Sequence, residues 1–383
     1  MLIFKNTIKK IDQLFMTFID TVSQYIFKPK SLEKISFIRM DILGDNFIFF
    51  PFLLRYKKLF PKALWIVNDR IEKIYSLLNL KYISINSWKF LWNPLHRLKI
   101  LKDLLNFQFE TVVNLVPHRA QIEGDILLKL LRANKKICYG NDFIMYKSFN
   151  NSVCSEVIYY NYSNFEKNLP YIHIFKHEKN FFEIFTKQDI ENDIRKFYFS
   201  AFGELKKLLK NYNIPLPEKN YIVILTDAGA LHRIYPKRNW QKILNKLPKN
   251  IKIIQLGLKR FQLKHPNLID LTRKTTLEEA MSIVMNASLV IGNETGLTHL
   301  AYLSGVPTIC ILGGGHFGRF LPWLEFDDIV KCVYKPMDCF QCGWRCKYAN
   351  LQKGEVPPCI SQIPPENVLE AVEYLNKEYK IFK

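Results

Sequence analysis

Glycine and proline are scarce, at 15 and 18 of 383 residues, whereas hydrophobic residues make up 48% and aromatics 14%. Such a chain is not a collagen, a flexible linker or a disordered segment, and it has material for two buried cores. Long apolar runs are also missing. The longest extends from Phe47 to Leu54, well short of the ~18–20 residues that a membrane-spanning helix needs. Lys9, Lys10, Asp12 and Asp20 interrupt the amino-terminal stretch. No secretory signal is therefore expected, and the protein is expected to stay in the cytoplasm. There its eight cysteines are expected to be mostly reduced. Negative charge is in shortest supply: 35 Asp+Glu stand against 55 Lys+Arg, a net charge of +20.

Residues 51–140 hold 16 Lys+Arg and 6 Asp+Glu, half of that excess. A surplus of this size points to an acidic partner such as nucleic acid, anionic lipid or a phosphorylated ligand. Nucleic acid is the disfavoured member. The aromatics follow core periodicity without interleaving with Lys/Arg, and no RRM, KH or helix-turn-helix pattern is present.

The length predicts two domains, and the patterning agrees. In residues 1–31, Phe4, Ile8, Ile11, Phe15, Phe18, Val22 and Tyr25 recur in steps of three and four, an amphipathic helix that either packs on the body or lies in an anionic membrane surface. From residue 32 to 200 strands alternate with helices: strands at 34–40, 64–67, 82–85, 111–115 and 136–139, helices at 47–59, 71–78, 98–105 and 122–131. Residues 188–211 read as one bridging helix. A second series fills 201–365, with strands at 221–225, 251–256, 288–291 and 308–312 and helices at 240–247, 277–286 and 296–304. A closing helix, Pro365–Tyr379, falls within 366–383 but for its first residue. Alternation of this kind predicts parallel sheets covered on both faces, with ligands outside the carboxyl ends of the strands.

Three turns carry candidate chemistry. Arg39-Met-Asp-Ile-Leu-Gly-Asp45 follows the first strand and opens a helix. Asp45 is either a carboxylate kept ionised by the helix dipole or simply an N-cap. Gly292-Asn-Glu294-Thr295-Gly296-Leu297-Thr298-His299 repeats the arrangement. There backbone N–H groups can hold an anion, Glu294 can accept from ribose hydroxyls or cap the helix, and His299 can reach a phosphate. Asp227-Ala-Gly-Ala-Leu-His-Arg233 places a guanidinium fork beyond a third strand, suited to a diphosphate. Gly313–Gly315 before His316 reads as a further anion-friendly loop without Walker or dinucleotide spacing. Cys339-x2-Cys342-x3-Cys346-x12-Cys359 has enough thiols for a structural zinc, with free thiols the preferred reading.

Taken in order, Arg39-x5-Asp45 with Pro51, Tyr56-Lys-Lys-Leu-Phe-Pro61, Arg233-Ile-Tyr-Pro-x3-Trp240, Asp270-Leu-Thr-x3-Thr-Leu-Glu278 and Gly292-Asn-Glu-Thr-Gly-Leu-Thr-His-Leu-Ala-x3-Gly-Val-Pro307 resemble glycosyltransferase family 9, the bacterial lipopolysaccharide heptosyltransferases. The match spans about residues 34–375. The resemblance implies a GT-B fold, two Rossmann-like doubly wound domains facing across a cleft, with the last helix packing back on the first domain. It implies a nucleotide-sugar donor, a heptose carried on ADP with a UDP- or GDP-sugar as the alternative, and an anionic lipid-linked oligosaccharide acceptor. Asp45 matches the general base. Arg233, Thr275, Glu294, Thr295, Gly296, Leu297, Thr298 and His299 match donor-binding positions. Arg39, Arg55, His118 and Arg119 are candidate acceptor contacts, with Lys57, Lys58 and Arg132 beside them. Glu294 replaces the family's usual Asp, and no glutamate follows Gly257 among Leu258–Gln262. The residues predict a single inverting displacement at Asp45, with cationic groups in place of a metal, no Asp-x-Asp pair being suitably placed. The enzyme is expected in the cytoplasm, with residues 1–30 able to hold it at the inner face of the inner membrane.

Overall fold

The computed structural model describes residues 15–117, 122–140, 154–160, 171–212, 220–259 and 261–382. The chain forms two compact units. The first takes in the chain up to Ile42, Phe52–Tyr162 and His177–Asp189; the second takes in Leu43–Pro51, Ser163–Lys176 and Ile190–Lys383. The boundary expected at residue 200 lies inside a helix, Ile194–Leu208. No helix among the described residues is long and apolar enough to cross a membrane.

The first unit opens with a helix over residues 15–26, α1. Its sheet is built from β1 (Ser31–Arg39), β2 (Leu64–Asn68), β3 (Tyr82–Ile85), β4 (Phe107–Asn114), β5 (Ala133–Tyr139) and β6 (Glu156–Ile158). All strands pair in parallel, in the order β3-β2-β1-β4-β5-β6. That order reverses direction between β1 and β4, as in a doubly wound sheet. β2 is buried along its whole length, which suits a central strand covered on both faces. One face packs Ile38, Ile66, Phe90, Leu101, Leu104, Val112, Leu127 and Leu128. Against the other, Phe37, Tyr56, Trp65 and Phe182 form an aromatic layer with ring centroids about 5 Å apart. Cys138 of β5 is joined to Cys154 as a disulfide, one exception to the expectation of reduced thiols. The other six cysteines are free.

The second unit repeats the plan with β7 (Tyr221–Leu225), β8 (Lys252–Leu256), β9 (Leu268–Asp270), β10 (Leu289–Asn293), β11 (Thr308–Ile311) and β12 (Val330–Val333). The order is β12-β11-β10-β7-β8-β9, again all parallel. The switch point lies between β7 and β10. The helix α2 (Leu43–Leu59) starts in this unit. The helix expected at 188–211 stands at Ile194–Leu208, continued by the turn Leu209–Tyr212, and a separate helix, Ile174–Thr186, precedes it. The break falls at Lys187, whose φ is 58°, and Asp193 caps the second helix through the Lys196 N–H. The closing helix Pro365–Tyr379 falls where the sequence places it. Val368, Val372 and Leu375 bury it in the second unit's own core, beside Trp240, Ile243 and Leu244 of Lys237–Lys246.

Candidate active site

The best-defined corner of the second unit is the turn from β10 into α11 (Gly296–Leu303). Every residue of β10 is buried. Thr298 Oγ1 donates to the Asn293 carbonyl at 2.6 Å and so closes the turn. A Cβ on Gly292 would stand 2.7 Å from that hydroxyl, so glycine is required there for close packing. Thr295 is the N-cap, but its side chain makes no capping bond and meets Thr298 Oγ1 at 3.2 Å. The first backbone N–H groups of α11, around the half-buried Gly296 and Leu297, are therefore left for an anion or water.

Glu294 is 3% exposed, and its Oε2 has no hydrogen-bond partner among the described residues. Burial pushes this carboxyl above its usual range and Asp45 adds to the rise, while Arg233 and Arg319 pull it back. It does not cap α11, since Thr295 holds that position. His299 is buried, and its Nδ1 meets the Tyr302 hydroxyl at 3.1 Å. Burial, with Arg233 and His173 nearby, pushes its pKa down to about 3. It is a neutral imidazole at physiological pH, able to donate a hydrogen bond without adding charge.

Asp45 stands in the first turn of α2, whose N-cap is Ile42. The capping alternative for Asp45 is thereby set aside. The start of α2 lies directly on the start of α11: a Cβ on Gly44 would be 3.3 Å from the His299 ring and 3.7 Å from Gly296 Cα. A Cβ on Gly296 would meet Leu43 at 2.8 Å. Two helix N-termini thus converge where the Asp45 carboxylate sits, its side chain 17% exposed.

The loop after β7 reaches the same corner. Asn293 Oδ1 accepts the Tyr235 N–H at 3.1 Å, and its amide donates to the Asp227 carbonyl at 3.3 Å. This buried amide ties the Arg233 loop to the Glu294 turn, a positioning role that the sequence reading missed. Arg233 itself is half-buried. The Asp227 carboxylate accepts the N–H groups of Leu258 and Lys259 at 2.6 and 3.0 Å, and so anchors the loop where the family's usual glutamate is missing. Thr275 is half-buried at the start of Leu277–Met285, next to Thr276, which forms a capping box with Glu279.

The Gly313–Gly315 run, read as anion-friendly, is closely packed by aromatic rings. A Cβ on Gly314 would overlap the Phe340 ring, and one on Gly315 the Trp344 ring. The cysteine-bearing loop lies on these glycines. Its Gln341 and Gly343 N–H groups donate to the carbonyls of Gly314 and Gly315 at 2.6 and 2.8 Å. Among the described residues no group of three or more His, Cys, Asp or Glu is arranged to hold a metal. Cys339, Cys342, Cys346 and Cys359 are free thiols, and burial pushes Cys342 and Cys359 up. Beyond the glycines, His316 is pushed down to about 3, first by burial and then by Arg319 and Arg233. Arg319, which no motif had marked, places Nη2 3.8 Å from Asp45 Oδ1.

The expected acceptor contacts fall in the first unit or outside the described residues. Arg39 is wholly buried: its guanidinium meets Glu178 at 2.7 Å, Asp41 at 3.1 Å and the Leu115 carbonyl. Burial opposes its charge, but Glu178 and Asp41 hold it protonated, its pKa above the ordinary value. Tyr139 donates to the other oxygen of Glu178 at 2.8 Å. A guanidinium so enclosed braces the interior and has no face left for an acceptor, which corrects that expectation. Arg55 is half-buried. His118 and Arg119 lie outside the described residues.

The family model for glycosyltransferase family 9 (heptosyltransferase) matches residues 97–348. Lipopolysaccharide heptosyltransferase 1 of Campylobacter coli is 23% identical over 375 residues, 89% of this chain and 98% of that protein. Among solved structures, the E. coli heptosyltransferase WaaC with ADP-2-deoxy-2-fluoro heptose superposes with a TM-score of 0.59 at 14% identity, over 89% of this chain and 99% of that one. A glycosyl transferase family 9 protein from Veillonella parvula DSM 2008 does so at 0.58 and 14%, over 90% and 98%. Both likenesses support the GT-B-like α/β fold of two parallel six-stranded sheets.

Proposed function

The chain belongs to glycosyltransferase family 9, and on that premise we propose that it moves a heptose from ADP-heptose onto the core of a lipopolysaccharide or lipooligosaccharide acceptor. One observation carries the reading: Asp45 lies at the open N-terminus of α11, in the same unit as Arg233, Glu294 and His299. The WaaC structure that resembles this chain holds an ADP-heptose analogue, and the Campylobacter coli relative is a lipopolysaccharide heptosyltransferase.

The reaction is an inverting displacement. The acceptor oxygen bonds to the anomeric carbon of the heptose as the bond from that carbon to the diphosphate oxygen breaks. The hydroxyl proton passes to the Asp45 carboxylate, and the electron pair of the broken bond leaves on ADP. Charge gathering on ADP is met by Arg233, by the N–H groups at the start of α11 and by the neutral His299, so the chemistry needs no divalent ion. Glu294, buried with a free oxygen, accepts from hydroxyl groups of the donor. The basic residues of 51–140 balance an anionic, lipid-linked acceptor, and the enzyme works at the inner face of the membrane.

Mass spectrometry of truncated lipopolysaccharide incubated with the protein and ADP-heptose should show one added heptose. Proton coupling at the new anomeric centre should show inversion. Asp45→Asn should lower kcat by roughly 10²–10⁴; activity within tenfold of the wild type removes Asp45 as base. Thermal shift with ADP, UDP and GDP checks the donor, since a specific ligand raises apparent stability.

A further inference from the structure

The loop after β11 carries a cation, Arg319, whose ion-pair partner Asp45 stands at 3.8 Å. The Arg319 side chain is 11% exposed, and its Nε is buried without a hydrogen bond among the described residues. The 3.8 Å approach to Asp45 is too long for a hydrogen bond. The guanidinium carbon lies 4.6 Å from the centroid of the Phe320 ring, which orients the plane. The backbone beneath it is fixed. The Arg319 carbonyl accepts the Ile174 N–H at 2.9 Å, and the Arg319 N–H donates to the His316 carbonyl at 2.9 Å. His173 Nε2 meets the Phe320 carbonyl at 2.8 Å.

A nearly buried guanidinium whose Nε has no hydrogen-bond partner among the described residues is costly unless an anion completes it. Asp45 completes it only in part. Glu294 and His316 each feel both Arg319 and Arg233, so the two guanidiniums serve one corner of the unit. His299 and His316 add no charge there, which leaves the two arginines as its cations.

We propose that Arg319 is a second diphosphate-binding residue, acting with Arg233 on the donor's phosphates. This rests on the nucleotide-sugar reading above. Its nearness to Asp45, and so to the reacting carbon, assigns it to the β-phosphate, the one whose oxygen leaves the sugar.

The test is calorimetric titration of the full chain and of Arg319→Gln and Arg319→Lys with ADP, AMP, UDP, GDP and inorganic pyrophosphate. Circular dichroism and melting midpoints establish that each variant is folded. Arg319→Gln should weaken ADP and pyrophosphate roughly 10- to 100-fold and AMP less than about threefold, the range expected for charge-assisted hydrogen bonds to one phosphate. Arg319→Lys keeps the charge without the fork and should weaken ADP roughly three- to tenfold; if only this variant folds, the same comparison decides. Unchanged pyrophosphate affinity, or parallel losses for AMP and ADP, overturns the proposal. An intact protein that binds neither ADP nor pyrophosphate also overturns it. Binding of pyrophosphate, UDP or GDP that depends on Arg319, with none of ADP, upholds it and removes ADP-heptose as the donor.

Discussion

His299 and His173 are pushed down to about 3 and about 4, in each case first by burial. At pH 7 both are neutral in the folded and the unfolded chain. Below about pH 6.5 the unfolded chain takes up a proton that the folded chain refuses. Stability is thus fully present above pH 6.5 and is lost as pH falls towards 3–4, by about 1.4 kcal/mol per pH unit for each histidine. Urea denaturation should show the wild type weakening between pH 6.5 and 5, with a shallower pH slope in His173→Gln; equal slopes would refute the linkage. Residues differ in how plainly the sequence marks them. Asp45, Arg233, Glu294 and His299 were legible because each stands just beyond a strand, three of them where a helix opens. Arg319 was not, because its meaning depends on a loop held by contacts at Ile174 and His173, more than a hundred positions away. Arg39 was legible as part of a motif and misassigned in role, since only the fold shows Glu178 enclosing it.

At the scale of elements, helices were readable from an amphipathic stripe and strands from short apolar runs. Tyr82–Ile85, Tyr221–Leu225 and Pro365–Tyr379 fall where patterning puts them. The short edge strands Glu156–Ile158, Leu268–Asp270 and Val330–Val333 escaped, because a charged residue, Glu156, Asp270 or Lys331, breaks each apolar run. The packing role of the glycine run was not legible, because an anion loop and a packing groove share one composition. Two substitutions separate these roles. Gly314→Ala drives a methyl into the Phe340 ring and should cost about 1–3 kcal/mol. It should also weaken ADP binding, since His316 and Arg319 follow directly. A Cβ on Gly203, in Ile194–Leu208, would meet nothing within 4 Å, so Gly203→Ala should stabilise by about 1 kcal/mol. Melting curves and ADP titration of both variants check the opposite signs; a stabilised Gly314→Ala would refute the packing role.

At the scale of the whole molecule, the charge surplus and the helix α1 bear on the same question. The sequence offered two fates for α1, packing or a membrane surface, and the described part of the helix packs by one side. Met16 and Ser23 face inward, and Asp20 takes both ends of the Arg97 fork at 2.6 Å. Of the apolar stripe read from periodicity, Phe4, Ile8 and Ile11 lie outside the described residues, and Phe15, Phe18 and Tyr25 are 53%, 63% and 80% exposed. Within the same unit Trp88, Trp92 and Leu95 are also exposed, on the segment that carries Arg97, with Lys89 and Lys99 between and beyond them. Aromatic side chains beside lysines suit the boundary between lipid headgroups and acyl chains, where apolar burial and attraction to anionic lipid act together. Sedimentation with vesicles should therefore show the protein bound to phosphatidylglycerol-rich membranes at low salt, and less bound to neutral ones. Raising salt from about 0.05 to 0.5 M should release part of it, as screening removes the electrostatic share. Replacing Phe15, Phe18, Trp88 and Trp92 with serine leaves the Asp20–Arg97 pair intact, so the fold should hold while binding drops severalfold. Equal sedimentation of this variant and the wild type would show that these side chains do not meet the membrane.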